Sequence, residues 1–204
     1  MPPRPKLSKS AAAELRKSIQ YLNLEEMRAF CKAHEIPLYI HLETSTGKLR
    51  RTSDRDRKDI VLERIFQLGV HGKRTGPTTY SSDVVGEGAL PNELTARTRV
   101  KYGQYEKHNP KYVALLESLT DGEFRTGMIA RLVLRDFWTA GKAPTFKQFA
   151  AAWLRATAEH TEPRPEGAYL VDLAKGDAGP GWKELRVRKA KAALDTLAKL
   201  TQRD

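Results

Sequence analysis

Apolar residues recur three and four positions apart along most of this chain, the spacing that gives a helix one buried face. Leu15, Ile19 and Leu22 mark the first such face, in a helix starting near Ser10. Asn23-Leu24-Glu25-Glu26 reads as a capping box for a second helix, which carries Met27, Phe30 and Cys31 on its stripe and ends at Pro37. The period then shortens. Leu38-Tyr39-Ile40-His41-Leu42 alternates as a strand does, Thr44-Ser45-Thr46-Gly47 is a turn, and Lys48-Leu49-Arg50-Arg51-Thr52 returns as the second arm of a hairpin. Ser53-Asp54-Arg55-Asp56 reads as another capping box, opening a helix through Ile60, Val61, Leu62, Ile65, Phe66 and Leu68 that closes at Gly69.

From Val70 to Glu93 the chain is rich in Gly, Pro, Thr and Ser, and reads as a linker. A short helix follows near residues 112–119. Two core-forming helices come next. One is capped at Thr120, with Glu123 three residues on, and carries Phe124, Met128, Ile129, Leu132, Val133, Phe137 and Trp138; the other is capped at Thr145, with Gln148, and carries Phe146, Phe149, Ala150, Trp153 and Leu154. A Pro and Gly cluster from Pro163 to Gly181 surrounds Tyr169-Leu170-Val171, and a basic amphipathic helix from Trp182 to Leu200 presents Leu185, Leu194, Leu197 and Leu200. The fold expected is mainly α, with a basic arm at residues 1–9, a first domain at 10–72 containing the hairpin, a linker at 73–95 and a helical domain at 96–204.

Composition changes this picture mainly through charge. The 204 residues include 36 Lys or Arg against 25 Asp or Glu, a formal charge of +11. Residues 1–75 hold 16 basic and 9 acidic side chains (+7), residues 76–174 hold 12 of each, and residues 175–204 hold 8 and 4 (+4). Two basic ends around a neutral middle suit a polyanionic partner, nucleic acid above all. Mean hydropathy is −0.57, and no apolar run reaches the roughly 18 to 20 residues that cross a bilayer. The opening Met1 to Lys9 has no apolar segment behind it, so neither a signal peptide nor a membrane partner is expected. A single cysteine, Cys31, fits a reducing compartment, and the expected location is the cytoplasm, at the nucleoid.

Candidate catalytic chemistry is thin. Cys31 and His34 stand three apart, as a thiolate and imidazole pair would, but Cys31 shares the apolar stripe of Met27 and Phe30 and reads as a small core residue. The histidines 34, 41, 71, 108 and 160 match no metal-ligand spacing, so no metal or other cofactor is expected. Asp54, Asp56 and Glu63 are the carboxylates a metal-dependent nuclease would draw on, yet they alternate with Arg55, Arg57, Lys58 and Arg64 as surface pairs do.

One stretch resembles a known family. Leu24, Met27 and Phe30 on a first helix, Ile36-Pro37 at a turn, and Lys58-Asp59-Ile60-Val61-Leu62-Glu63-Arg64-Ile65 on a second helix are similar to the SAP domain, a helix–extended loop–helix module that binds DNA. Arg4-Pro5-Lys6-Leu7 and Met27-Arg28-Ala29-Phe30-Cys31-Lys32 resemble a bacterial subgroup in which a small helical domain follows. Gly141-Lys142, Thr145-Phe146 and Ala151-Ala152-Trp153 loosely resemble the signature of that second domain. The chain departs from the family pattern at Glu35, where the turn usually has glycine, and by an insertion spanning Leu38 to Arg57.

The resemblance implies a SAP-like N-terminal domain with an inserted β-hairpin and a non-enzymatic DNA-binding protein, its partner double-stranded DNA. It implies Lys58 as a contact, with Arg64 either a second contact or a partner for a carboxylate. The residues themselves add Lys48, Arg50, Arg51, Arg55 and Arg57 from the insertion, Arg4, Lys6 and Lys9 from the arm, and Arg186, Arg188, Lys189 and Lys191 from the last helix. Alternation along the hairpin predicts Lys48 and Arg50 on one face and Arg51 on the other. The rival expectation is a protein-interaction adaptor, whose helical domain would expose Trp138 and Trp153 to a partner.

Overall fold

A computed structural model describes residues 7–86, 88, 90–159 and 180–201, the side chains of residues 180, 182 and 183 excepted. Among them are seven α-helices and one small sheet, a mainly helical fold. Helix α1, Lys9–Ser18, starts where the Ser8 hydroxyl accepts the Ala11 N–H, and its last turn tightens into a 3-10 turn over Ile19–Tyr21. Helix α2, Leu24–Ala33, carries the expected reciprocal cap: Asn23 Oδ1 accepts the Glu26 N–H, and the Glu26 carboxylate accepts the Asn23 N–H, each at 2.8 Å. It ends in a Schellman-type turn, with the Ile36 N–H donating to the Cys31 carbonyl at 2.9 Å and Glu35 left-handed at φ 55°.

Strands β1, Tyr39–Glu43, and β2, Leu49–Arg55, form the hairpin, and a two-residue strand β3, Thr79–Tyr80, joins β1 in parallel to give the order β2-β1-β3. Helix α3, Lys58–His71, follows β2 directly. The Ser53 capping box does not form, because the strand runs on to Arg55 and the helix is entered at Arg57 with no side-chain cap. The helix also passes through Gly69 and ends at Gly72, left-handed at φ 63°. Gly69 is a place of close approach instead: a Cβ there would lie 2.6 Å from Leu197 Cδ2.

Helices α4, Pro110–Ser118, α5, Met128–Thr139, and α6, Phe146–Ala158, come next, and α7, Pro180–Thr201, is the last. The Thr145 box is present in full, with Gln148 as its partner. Thr120, by contrast, closes α4: its hydroxyl donates to the Leu116 carbonyl and accepts the Phe124 N–H, while Asp121 and Gly122 turn left-handed at φ 50° and 80°. Two consecutive left-handed residues cannot continue a helix, so α5 begins only at Met128.

The chain divides into two units that each gather discontinuous segments. The first comprises residues 1–39, 54–77 and 162–204, the second residues 40–53 and 78–161. In the first, Leu15, Ile19, Leu22, Met27, Phe30, Val61, Leu62, Ile65 and Phe66 pack with Ala190, Ala193, Leu197 and Leu200 of α7. In the second, Ile40 and Leu42 of the hairpin join Tyr80, Val84, Val100, Phe124, Trp138, Phe146, Phe149 and Trp153. This differs from the sequential division into domains at 10–72 and 96–204. The hairpin tip belongs with the later helices, the last helix belongs with the first ones, and the expected linker supplies Tyr80 and Val84, 1% and 0% exposed, to a core. The Tyr169-Leu170-Val171 segment lies outside the described residues. No helix among the described residues is long and apolar enough to cross a membrane.

Candidate nucleic-acid interface

Strand β2 is an edge strand, paired on one side only, and almost every side chain on it faces solvent. An edge carrying cations resists pairing with a second chain, and it also presents charge without desolvation cost. Lys48, Arg50, Arg51 and Arg55 are all exposed. Lys48 and Arg50 make no ion pair among the described residues. Thr52, on the Arg50 side of the strand, donates its hydroxyl to the Ile40 carbonyl at 2.9 Å, which ties that face to β1 and leaves Arg51 and Arg55 on the opposite face.

The remaining cations expected at the interface are distributed differently. Arg4 and Lys6 lie outside the described residues, and Lys9 is exposed on the first turn of α1. Arg57 is partly buried beside Asp59, at 3.6 Å. Lys58 turns inward, its Nζ donating to the Gln20 carbonyl at 2.7 Å; burial, with Arg186 nearby, brings its pKa down to about 8 against the partial offset of Glu26. Arg64 is 6% exposed, with Nη2 on Asp56 Oδ2 at 2.7 Å and Nη1 donating to the Pro37 carbonyl at 2.9 Å. Its guanidinium is therefore a tie inside the first unit, which is the carboxylate-pairing role of the two open for it. On α7, Arg186 pairs with Glu26, Lys189 with Glu14 at 2.8 Å and Lys191 with Asp195 at 2.7 Å, whereas Arg188 is exposed.

Sequence reasoning missed two further cations. In the second unit a cleft of about 960 Å³ is lined by the hairpin, at Leu42, Glu43, Thr44, Ser45 and Arg50, and by Arg99, Lys101 and Gln104. Residues 98–102 are fixed by two isolated bridges, Arg99 to Thr145 and Tyr102 to Val85, with the Val100 N–H on the Pro144 carbonyl (2.7 Å) and the Tyr102 N–H on the Val84 carbonyl (2.8 Å). Val100 is buried completely, while Arg99 and Lys101 both line the cleft, with Thr98 beside them. Arg99 is oriented by one hydrogen bond, Nη1 to the Ala143 carbonyl at 3.0 Å, and Lys101 makes no ion pair among the described residues. Gln104 lies flat against Gly86, where any Cβ would stand 2.2 Å from its side chain, and donates to the Gly88 carbonyl at 3.3 Å. Thr98-Arg99-Val100-Lys101-Tyr102 carried the signal, a period of two inside a stretch otherwise rich in turn residues.

The groups considered for catalysis are engaged elsewhere. Burial pushes the Cys31 thiol up to about 12, against the opposing pull of Arg64, so it stays protonated at neutral pH. Asp56 is the buried partner of Arg64, and Glu63 pairs with Arg16, whose hydrogen bond holds the Glu63 carboxyl below its usual range. Among the described residues no three His, Cys, Asp or Glu side chains gather to hold a metal ion. Trp138 and Trp153 are 7% and 4% exposed, and the Trp138 indole N–H donates to the Val100 carbonyl at 3.0 Å, so both build the core and neither forms a docking patch. Compared with family models, curated proteins and solved structures, the chain matches none.

Proposed function

We propose that this protein binds nucleic acid without catalysis, through phosphate contacts made first by the hairpin, with DNA as the polymer that the SAP resemblance implies. The observation that carries the reading is the exposed edge strand with the residue before it, where Lys48, Arg50, Arg51 and Arg55 follow one another without a buried residue among them. Phosphate contacts position a protein but carry no base code, so sequence preference is weak. Within the first unit, α2, its turn and α3 supply the helices of a SAP-like module with the hairpin inserted between them. The left-handed Glu35 supports that reading, since it holds the conformation for which the family's glycine is suited.

The test is fluorescence anisotropy with a labelled duplex over a salt series. If six phosphates are neutralised, log K falls against log salt with a slope of roughly −5. Lys48→Gln/Arg51→Gln lowers the magnitude of that slope by about 2. No detectable binding at low salt, or affinity that does not change with salt, overturns the proposal.

A further inference from the structure

The cleft of the second unit is too small for a duplex and suited to a single chain. Its volume of about 960 Å³ lies at the upper end of ordinary ligand sites, room for a short stretch of one strand. Arg99 and Lys101 stand two residues apart, a step of at most roughly 7 Å. That repeat is close to the distance between successive phosphates of an extended nucleic-acid strand, so one backbone running along residues 98–102 meets both cations. Arg50 of the hairpin lines the same cleft. The hydrogen bond from Arg99 to the Ala143 carbonyl uses one of its N–H groups and restrains the guanidinium, which lowers the ordering cost of binding an anion.

The rest of the lining suits the other parts of a nucleotide. Asp83 and Glu43 would repel a phosphate but accept hydrogen bonds from exocyclic amines of bases, and Gln104, held against Gly86, offers an amide. Among the described residues no aromatic side chain lines the cleft, so the contacts its cations offer are to the backbone. We infer that this cleft binds the sugar–phosphate backbone of a single nucleic-acid strand through Arg50, Arg99 and Lys101. The inference rests on the nucleic-acid reading above and adds to it a preference that the hairpin alone does not provide.

The experiment uses the full chain and two labelled probes, a dT12 single strand and a 12-base-pair duplex, titrated from 50 to 200 mM salt. Each single-strand phosphate contact contributes about 0.7 to the salt slope. Arg99→Gln/Lys101→Gln therefore lowers the dT12 slope by about 1.4 and weakens dT12 about 25-fold at 100 mM salt, while the duplex loses less than about threefold. Lys101→Glu alone, which removes no hydrogen bond among the described residues, weakens dT12 at least about fivefold and guards against misfolding of the double variant. Lys48→Gln/Arg51→Gln reports on the hairpin separately. If the hairpin variant loses affinity and both cleft variants keep dT12 within about twofold, the inference fails and the nucleic-acid reading stands. Equal weakening of both probes by the cleft variants also overturns the inference. If the unmodified chain binds neither probe at 50 mM salt, the nucleic-acid reading fails and the inference goes with it.

Discussion

Removing Arg64 should cost the first unit more stability than removing any surface charge of the chain. The side chains of Arg64 and Asp56 are 6% and 2% exposed, and the guanidinium holds two points of the backbone path at once, the Pro37 carbonyl after α2 and the Asp56 carboxylate before α3. Asp56 is further fixed by its own N–H on the Leu38 carbonyl at 2.9 Å. Arg64→Ala leaves a carboxylate buried without its counter-ion and a carbonyl without its donor, and breaking a buried pair on one side costs about 3 to 5 kcal/mol. At 1.4 kcal/mol per factor of ten, that is an increase of roughly 140- to 4,000-fold in the opening equilibrium.

Amide hydrogen exchange on α2 and α3 reads this opening within the first unit, without assuming that the two units unfold together. Arg64→Met/Asp56→Leu removes both charges and leaves the Pro37 carbonyl unpaired, at about 1 to 3 kcal/mol, so the double variant is the more stable of the two. Arg16 and Glu63 provide the contrast. Their side chains are 50% and 43% exposed, and Glu63→Gln costs less than about 1 kcal/mol despite the direct hydrogen bond. An Arg64→Ala variant whose α2 and α3 amides exchange less than about tenfold faster would refute the reasoning, since the pair could not then be buried in solution.

Lys58 gives the first unit a stability that rises from pH 8 to 9. Its folded pKa of about 8 lies below the unfolded value near 10.4, so the unfolded chain binds the extra proton in this window and stability increases by about 1 kcal/mol. Above pH 9 the Cys31 thiol, raised to about 12 when folded and so ionising only in the unfolded chain, cancels most of the Lys58 gain, and stability falls once the pH passes the unfolded lysine value of about 10.4; thermal melts in which Lys58→Met keeps the 8-to-9 rise would count against this account. Glu35→Gly relieves a left-handed residue at the end of α2 and removes an acidic group from the negative end of the helix, and should stabilise the first unit by about 1 kcal/mol, read as slower exchange of the α2 amides; unchanged or faster exchange would contradict it.

The local elements were legible where a pattern had a local cause. Asn23 with Glu26 and Thr145 with Gln148 cap their helices because three-residue spacing alone lets each side chain reach the other's backbone. Ile40 and Leu42 are buried while their neighbours in β1 are not, which is the alternation that announced the hairpin. The same spacing misled at Ser53 and Thr120. Asp56, three residues after Ser53, is the counter-ion of Arg64, and the Thr120 hydroxyl bridges the Leu116 carbonyl and the Phe124 N–H across two left-handed residues. Tertiary demand decided both, and no local pattern encodes it. The division into units was equally hidden, because it depends on where distant segments meet. Gly69 ended a helix in the periodicity, whereas its bare Cα is what lets Leu197 of α7 come so close.

The interface shows the same limit in electrostatic form. The first unit has 22 basic and 15 acidic side chains, a net +7, against 14 and 10, a net +4, in the second. By net charge the first is the stronger attractor. Several of its cations, however, are committed: Arg16 to Glu63, Arg64 to Asp56, Arg186 to Glu26, Lys189 to Glu14, and Lys191 to Asp195. A paired cation must break its existing contact before it can meet a phosphate, and that cost is subtracted from whatever the phosphate contributes. In the second unit Lys48, Arg50 and Lys101 have no such partner among the described residues, and two of the three line one cleft. Charge available for binding is thus concentrated where the smaller excess lies, a conclusion that counting residues along the chain cannot reach, because it depends on which carboxylate each cation meets.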